Sequence, residues 1–145
     1  MKISDILSPD NVLLDVKASD KGSLLIELAR KAAAALGLSP DVVALALLKR
    51  EAMGSTGVGG GVAVPHARLA EVKAPVGVLA RLRKAIPFDA IDGHSVDVVF
   101  LLLLPEQQGQ QLNALATVAR SLRDPAILGA LRKAPDTAAM CRALG

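Results

Sequence analysis

Aromatic residues are nearly absent from this chain: Phe88 and Phe100 stand alone, with no Trp and no Tyr. The core must therefore be filled by Leu, Val, Ile and Ala. Stacking on aromatic platforms, a common way to hold single-stranded nucleic acid, has nothing to work with. Cys141 is the sole cysteine, which excludes an internal disulfide and any multi-cysteine metal site. Only two histidines occur, His66 and His94, so a multi-histidine metal centre would need carboxylates to complete it. No carboxylate spacing points to one, and neither a metal nor a cofactor is expected. The longest apolar run, Val96 to Pro105, is interrupted by Asp97 and falls well short of the about 20 residues of a membrane-spanning helix. Met1-Lys2-Ile3-Ser4-Asp5 opens no apolar leader, so the chain reads as cytoplasmic. Charge is nearly balanced, 17 basic against 14 acidic residues. The basic residues fall in scattered pairs such as Arg30-Lys31 and Arg132-Lys133 rather than in a stripe, and no nucleic-acid partner is expected.

What is present suits one globular domain spanning residues 1–145, with 52% hydrophobic and 21% charged residues. A short helical turn is expected over 3–8 and a strand over Val12 to Val16. Ser19 or Asp20 can cap a helix running to Leu36, with apolar residues at helical spacing and Gly37 placed to end it. Ser39-Pro40-Asp41 combines an N-cap, a proline at the first helical position and an acid near the positive helix end, so a second helix runs from there to about Met53. A glycine-rich loop follows, then an extended segment from Val62 to His66. Strands are expected over Val76 to Arg83 and Val96 to Leu104, with Asp92-Gly93 as a turn between them. Helices over Gln108 to Leu122, Asp124 to Ala134 and Asp136 to Leu144 complete the chain. The expected fold is α/β, a mixed sheet flanked by helices.

The glycine-rich loop, Ser55, Thr56, Gly57, Val58, Gly59, Gly60 and Gly61, lacks the lysine of a Walker loop. It also lacks the third glycine of a dinucleotide fingerprint, and no strand leads into it. Two readings remain: a tight helix-to-strand connector, or a run of backbone N–H groups that cradles an anion. His94 follows Asp92-Gly93 and reads as an exposed turn residue. His66 closes the extended segment directly after Pro65, five residues past the loop. Its unperturbed pKa of about 6.5 makes a neutral imidazole available as a nucleophile near pH 7. No G-x-S-x-G elbow surrounds Ser55 or Ser95. The residues point to a site at His66 without fixing its reaction.

The stretch from Arg50 through Gly54-Ser-Thr-Gly-Val-Gly-Gly-Gly61 and Val64-Pro-His66 to Leu69 closely resembles the active-site signature of fructose/mannitol-type IIA proteins. These belong to the bacterial phosphoenolpyruvate-dependent phosphotransferase system. A second block, Ile86-Pro-Phe-Asp-Ala-Ile-Asp-Gly-His94 to Phe100, is similar to the nitrogen-regulatory branch of that family. The resemblance implies that His66 accepts a phosphoryl group from a histidine phosphocarrier protein, as a stoichiometric carrier rather than an independent turnover enzyme. It implies that Arg50 lies beside the imidazole, and that the loop residues Ser55, Thr56, Gly57, Gly59, Gly60 and Gly61 hold the phosphate. Many members carry a second active-site histidine where this chain has Gln111, and a polar or acidic residue where it has Gly60. The reading is a regulatory carrier of the nitrogen type, with a regulatory protein as its downstream target; the alternative within the family is a sugar-specific fructose/mannitol IIA that passes phosphate to a IIB component. A non-covalent anion-binding module is the alternative from another class.

Overall fold

The computed structural model describes residues 2–107 and 110–145, and the side chains of residues 2–107 and 113–145. Two short 3₁₀ turns, Ile3–Asp5 and Pro9–Asn11, lead into strand β1 (Val12–Val16). Helices α1 (Lys21–Leu36) and α2 (Pro40–Ala52) follow, then three short strands: β2 (Gly57–Gly59), β3 (Val62–Ala63) and β4 (His66–Leu69). Two long strands, β5 (Val76–Ile86) and β6 (Val96–Pro105), precede α3 (Gln110–Arg123), α4 (Pro125–Lys133) and α5 (Thr137–Leu144).

The helix ends form where local chemistry dictates. Asp20 rather than Ser19 caps α1, its carboxylate accepting the Ser23 N–H at 2.8 Å. Gly37 closes that helix in the left-handed region at φ 69°, where an L side chain is disfavoured. Ser39 holds the capping position of α2 without a side-chain hydrogen bond, so Pro40 and Asp41 carry that start. Asp124 and Asp136 cap α4 and α5.

The sheet is mixed, as expected, with order β1-β5-β6-β3-β2 and β4 also paired to β6. Both β3 and β4 run parallel to β6, at Val98–Val99 and at Leu102–Pro105 respectively. The segment expected as one extended stretch is therefore broken at Val64-Pro65, and His66 opens a new strand instead of closing an old one. Proline has no N–H to give a ladder, while its carbonyl still accepts from Leu102 N–H at 2.9 Å. Gly57–Gly59, expected as loop, pairs antiparallel with β3.

Helices cover both faces. α1 and α2 pack on Val78, Ala80, Val99, Leu101 and Leu103, while α3, α4 and α5 pack on Leu79, Val98, Phe100, Leu102 and Leu104. Alternate residues of β6 feed opposite cores, which is why that strand is a continuous apolar run. No helix among the described residues is long and apolar enough to cross a membrane.

Candidate functional site

Helix α2 ends against β4, and the seam between them is a cleft of about 490 Å³ lined by Ala46, Lys49, Arg50, Met53, His66, Ala67 and Arg68. Positions 46, 49, 50 and 53 recur at helical spacing and so share one face of α2. His66 and Arg68 share one side of β4 because strand side chains alternate, while Ala67 and Leu69 enter the core. The lining carries three cations and no carboxylate.

His66 is half-buried at the start of β4. Its Nδ1 lies 2.9 Å from the Val64 carbonyl oxygen. A carbonyl can only accept, so Nδ1 carries the proton and Nε2 keeps its lone pair. Among the described residues no hydrogen bond engages Nε2. Burial first, then the charges of Arg50 and Arg68, hold the His66 pKa below its ordinary value, outweighing the Val64 carbonyl and Glu51, which favour the imidazolium. The result is a neutral ring with one nitrogen free, facing a cationic cleft.

Arg50 sits in the last turn of α2 and donates from Nη1 to the Gly54 carbonyl at 2.9 Å. That bond steadies the guanidinium at the helix end. Its sequence neighbour Glu51 turns inward and pairs with Lys21, not with Arg50.

The glycine-rich loop lies elsewhere. None of Ser55, Thr56, Gly57, Gly59, Gly60 and Gly61 lines the His66 cleft, and several of the donors expected to cradle phosphate are engaged within the fold. Thr56 N–H is bonded to Glu51, Gly57 N–H to Ser55 Oγ and Gly60 N–H to Asp92. Ser55 Oγ donates to the Phe88 carbonyl at 2.6 Å. Arg132, paired with Asp97, donates to the Gly60 carbonyl. Gly59, Gly60 and Gly61 have φ values of 96°, 67° and 78°, so this turn requires glycine for its backbone. Asp92 accepts from Gly60 and His94 N–H groups, which lower its pKa. His94 is exposed in its turn, as expected. The side chain of Gln111 lies outside the described residues. No group of three or more His, Cys, Asp or Glu placed to hold a metal occurs among the described residues.

A family model described as phosphoenolpyruvate-dependent sugar phosphotransferase system, EIIA 2, matches residues 5–145. The chain belongs to this EIIA 2 family. Within it, a nitrogen regulatory protein of Bradyrhizobium diazoefficiens is 44% identical, over 97% of this chain and 92% of that protein. One from Escherichia coli is 40% identical, over 92% of this chain and 83% of that protein. A crystal structure of nitrogen regulatory protein IIA-Ntr from Neisseria meningitidis superposes with a TM-score of 0.93 at 34% identity, covering 99% of both chains.

In this EIIA 2 member, sequence reasoning singled out His66 and Arg50 and missed Lys49 and Arg68. The signal was available: Arg68 is two residues past His66 on a strand, and Lys49 is one helical turn before Met53. What composition and periodicity could not supply is that α2 and β4 are neighbours; the resemblance implied it for Arg50 and His66 alone.

Proposed function

We propose that this chain is a regulatory phosphocarrier that takes a phosphoryl group on His66 Nε2 from a phosphohistidine of a histidine phosphocarrier protein. The observation that carries this reading is the Nδ1–Val64 carbonyl bond, which leaves Nε2 as the nucleophile at the mouth of a cationic cleft. The lone pair of Nε2 forms the new N–P bond while the donor's N–P bond breaks. The donor ring departs with that electron pair, as neutral imidazole when its other nitrogen bears a proton. No proton need leave His66, since its Nδ1–H stays on the Val64 carbonyl and shares the positive charge that develops on the ring. Negative charge on the three equatorial phosphoryl oxygens is met by Arg50, Arg68 and Lys49. The glycine-rich loop, outside the cleft and with its Thr56, Gly57 and Gly60 N–H groups occupied, serves to anchor the end of α2 and the entry to β3 rather than to hold phosphate.

The regulatory role follows the nitrogen regulatory proteins to which the chain is similar over nearly its full length. Such a carrier works in the cytoplasm, where its phosphoryl donor is found. The test is incubation with phosphoenolpyruvate, enzyme I and histidine phosphocarrier protein, followed by site mapping. Acid-labile, base-stable phosphate on His66 is expected, together with none on a folded His66→Ala variant. Full acceptance by that variant overturns the proposal.

A further inference from the structure

Behind the imidazole, hydrogen bonds lead step by step into the protein. His66 Nδ1–H is held by the Val64 carbonyl at 2.9 Å. The Val64 N–H in turn donates to the Thr56 carbonyl at 2.9 Å. Thr56 donates twice to one carboxylate, from its N–H at 2.8 Å to Glu51 Oε2 and from Oγ1 at 2.5 Å to Glu51 Oε1. Lys21, at the first turn of α1, completes that carboxylate's partners with Nζ 3.2 Å from Oε2. The same ammonium lies 4.9 Å from the centre of the Phe88 ring and 3.2 Å from Asp89 Oδ2.

Glu51 is 9% exposed. Burying a carboxylate is costly unless every lone pair finds a donor, and replacing such a group with apolar packing is often neutral or stabilising. Its presence therefore calls for a role other than stability. Glu51 contacts neither the cleft nor the imidazole, and what it does hold is the one segment whose other end sets the histidine. Val64 is clamped on both sides: its N–H by Thr56, and its following residue by the Pro65 carbonyl bond to Leu102. A proline at 65 adds a fixed φ and no competing N–H.

We infer that Glu51 is a positioning residue for His66: through Thr56 and Val64 it fixes the carbonyl that keeps the proton on Nδ1 and turns Nε2 toward the cleft. Because Glu51 follows Arg50, one turn of α2 carries both the cation facing the phosphoryl and the anchor that aligns the nucleophile. The inference rests on the phosphocarrier reading for its purpose, but the tautomer it describes belongs to the resting protein.

The experiment uses the full chain with ¹⁵N-labelled histidine and long-range ¹H–¹⁵N spectra, before any phosphate is added. Wild type should show His66 in the Nδ1–H form alone. Thr56→Val and Glu51→Gln should show both tautomers and accept phosphate at least about tenfold more slowly, while Thr56→Ser, which keeps the hydroxyl, should behave as wild type. The charged groups facing the ring are Lys49 and Arg50 of α2 and Arg68 of β4, with Glu51 behind it. Removing the Glu51 charge should also move the His66 titration to lower pH, whereas Thr56→Val should leave it in place; a purely structural defect gives no such split. A folded Glu51→Gln or Thr56→Val protein that keeps the wild-type tautomer overturns the inference, and Thr56→Val decides if Glu51→Gln does not fold. Wild type that shows the Nδ1–H form and takes no phosphate overturns the phosphocarrier reading alone.

Discussion

A neutral imidazole is the form that attacks phosphorus, and burial, Arg50 and Arg68 together hold His66 in that form. The consequence for pH has a definite sign. The unfolded chain takes up its proton near the ordinary value of about 6.5, the folded chain only below it. The stability contributed by the neutral ring is thus present above pH 6.5 and is lost as pH falls toward the folded midpoint. An NMR titration should place the His66 midpoint below 6.5, with phosphate acceptance falling only as that lower midpoint is crossed. A midpoint above 6.5 would show that the Val64 carbonyl and Glu51 dominate. Under the proposed function Arg50 acts on the transferring group. Losing a preorganised charge contact typically costs about 10²–10³ in rate, so Arg50→Ala should slow acceptance by about that much in rapid-quench measurements. Arg50→Lys keeps the charge, loses the planar fork and should fall between Arg50→Ala and wild type. His94, exposed and far along the chain in its turn, should matter little: His94→Ala is expected to stay within tenfold of wild type, about 1.4 kcal/mol of barrier.

At the level of elements, most boundaries were legible because their signals are local. Caps, prolines at first helical positions and Gly37 mark helix ends through bonds made within four residues. The break at Val64-Pro65 was not legible, since both halves are strand-like and only pairing with β6 separates them. Nor was the irregularity in β1, where Asp15 adopts φ 54° and the pairing with β5 shifts between Leu13 and Val16. That bulge lets Val12 and Val16, which alternation would place together, enter opposite cores. Arg81 shows the same dependence on distant partners. It reads as a surface charge on a strand, yet its Nη1 reaches the carbonyls of Leu131 and Ala134 at 2.8 and 2.7 Å, closing the C-terminal end of α4 against the sheet. Hydrogen bonds to a charged group are worth about 1.5–3 kcal/mol net. Arg81→Met should therefore lower stability by about 2–3 kcal/mol in urea titrations, and a change under 0.5 kcal/mol would mean that water satisfies those carbonyls equally well.

The whole molecule is organised around β6, which pairs with β3, β4 and β5 and sends alternate side chains into two helical layers. This arrangement places the proposed nucleophile on a short strand while the stability that holds it lies in the long one: His66 is in register with Leu102, whose side chain is fully buried. Phe100 tests how separable the two are. Its ring fills the space over Gly77, where an added Cβ would come within 2.5 Å of it, and it belongs to the core on the α3–α5 side, whereas the α2 wall of the His66 cleft stands on the other. Phenylalanine-to-alanine changes in a close-packed core cost about 3–5 kcal/mol. Domains of this size have about 5–15 kcal/mol in all and usually unfold as one unit. Phe100→Ala should accordingly lower the urea midpoint strongly with little change in slope, leaving a smaller folded population under native conditions. Phosphate acceptance, normalised to the folded fraction, should remain near wild type because no group lining the cleft has been altered. A variant that stays folded yet accepts phosphate tenfold more slowly would show that strain in β6 reaches His66 through the β4 ladder, and that the core and the site form one mechanical unit.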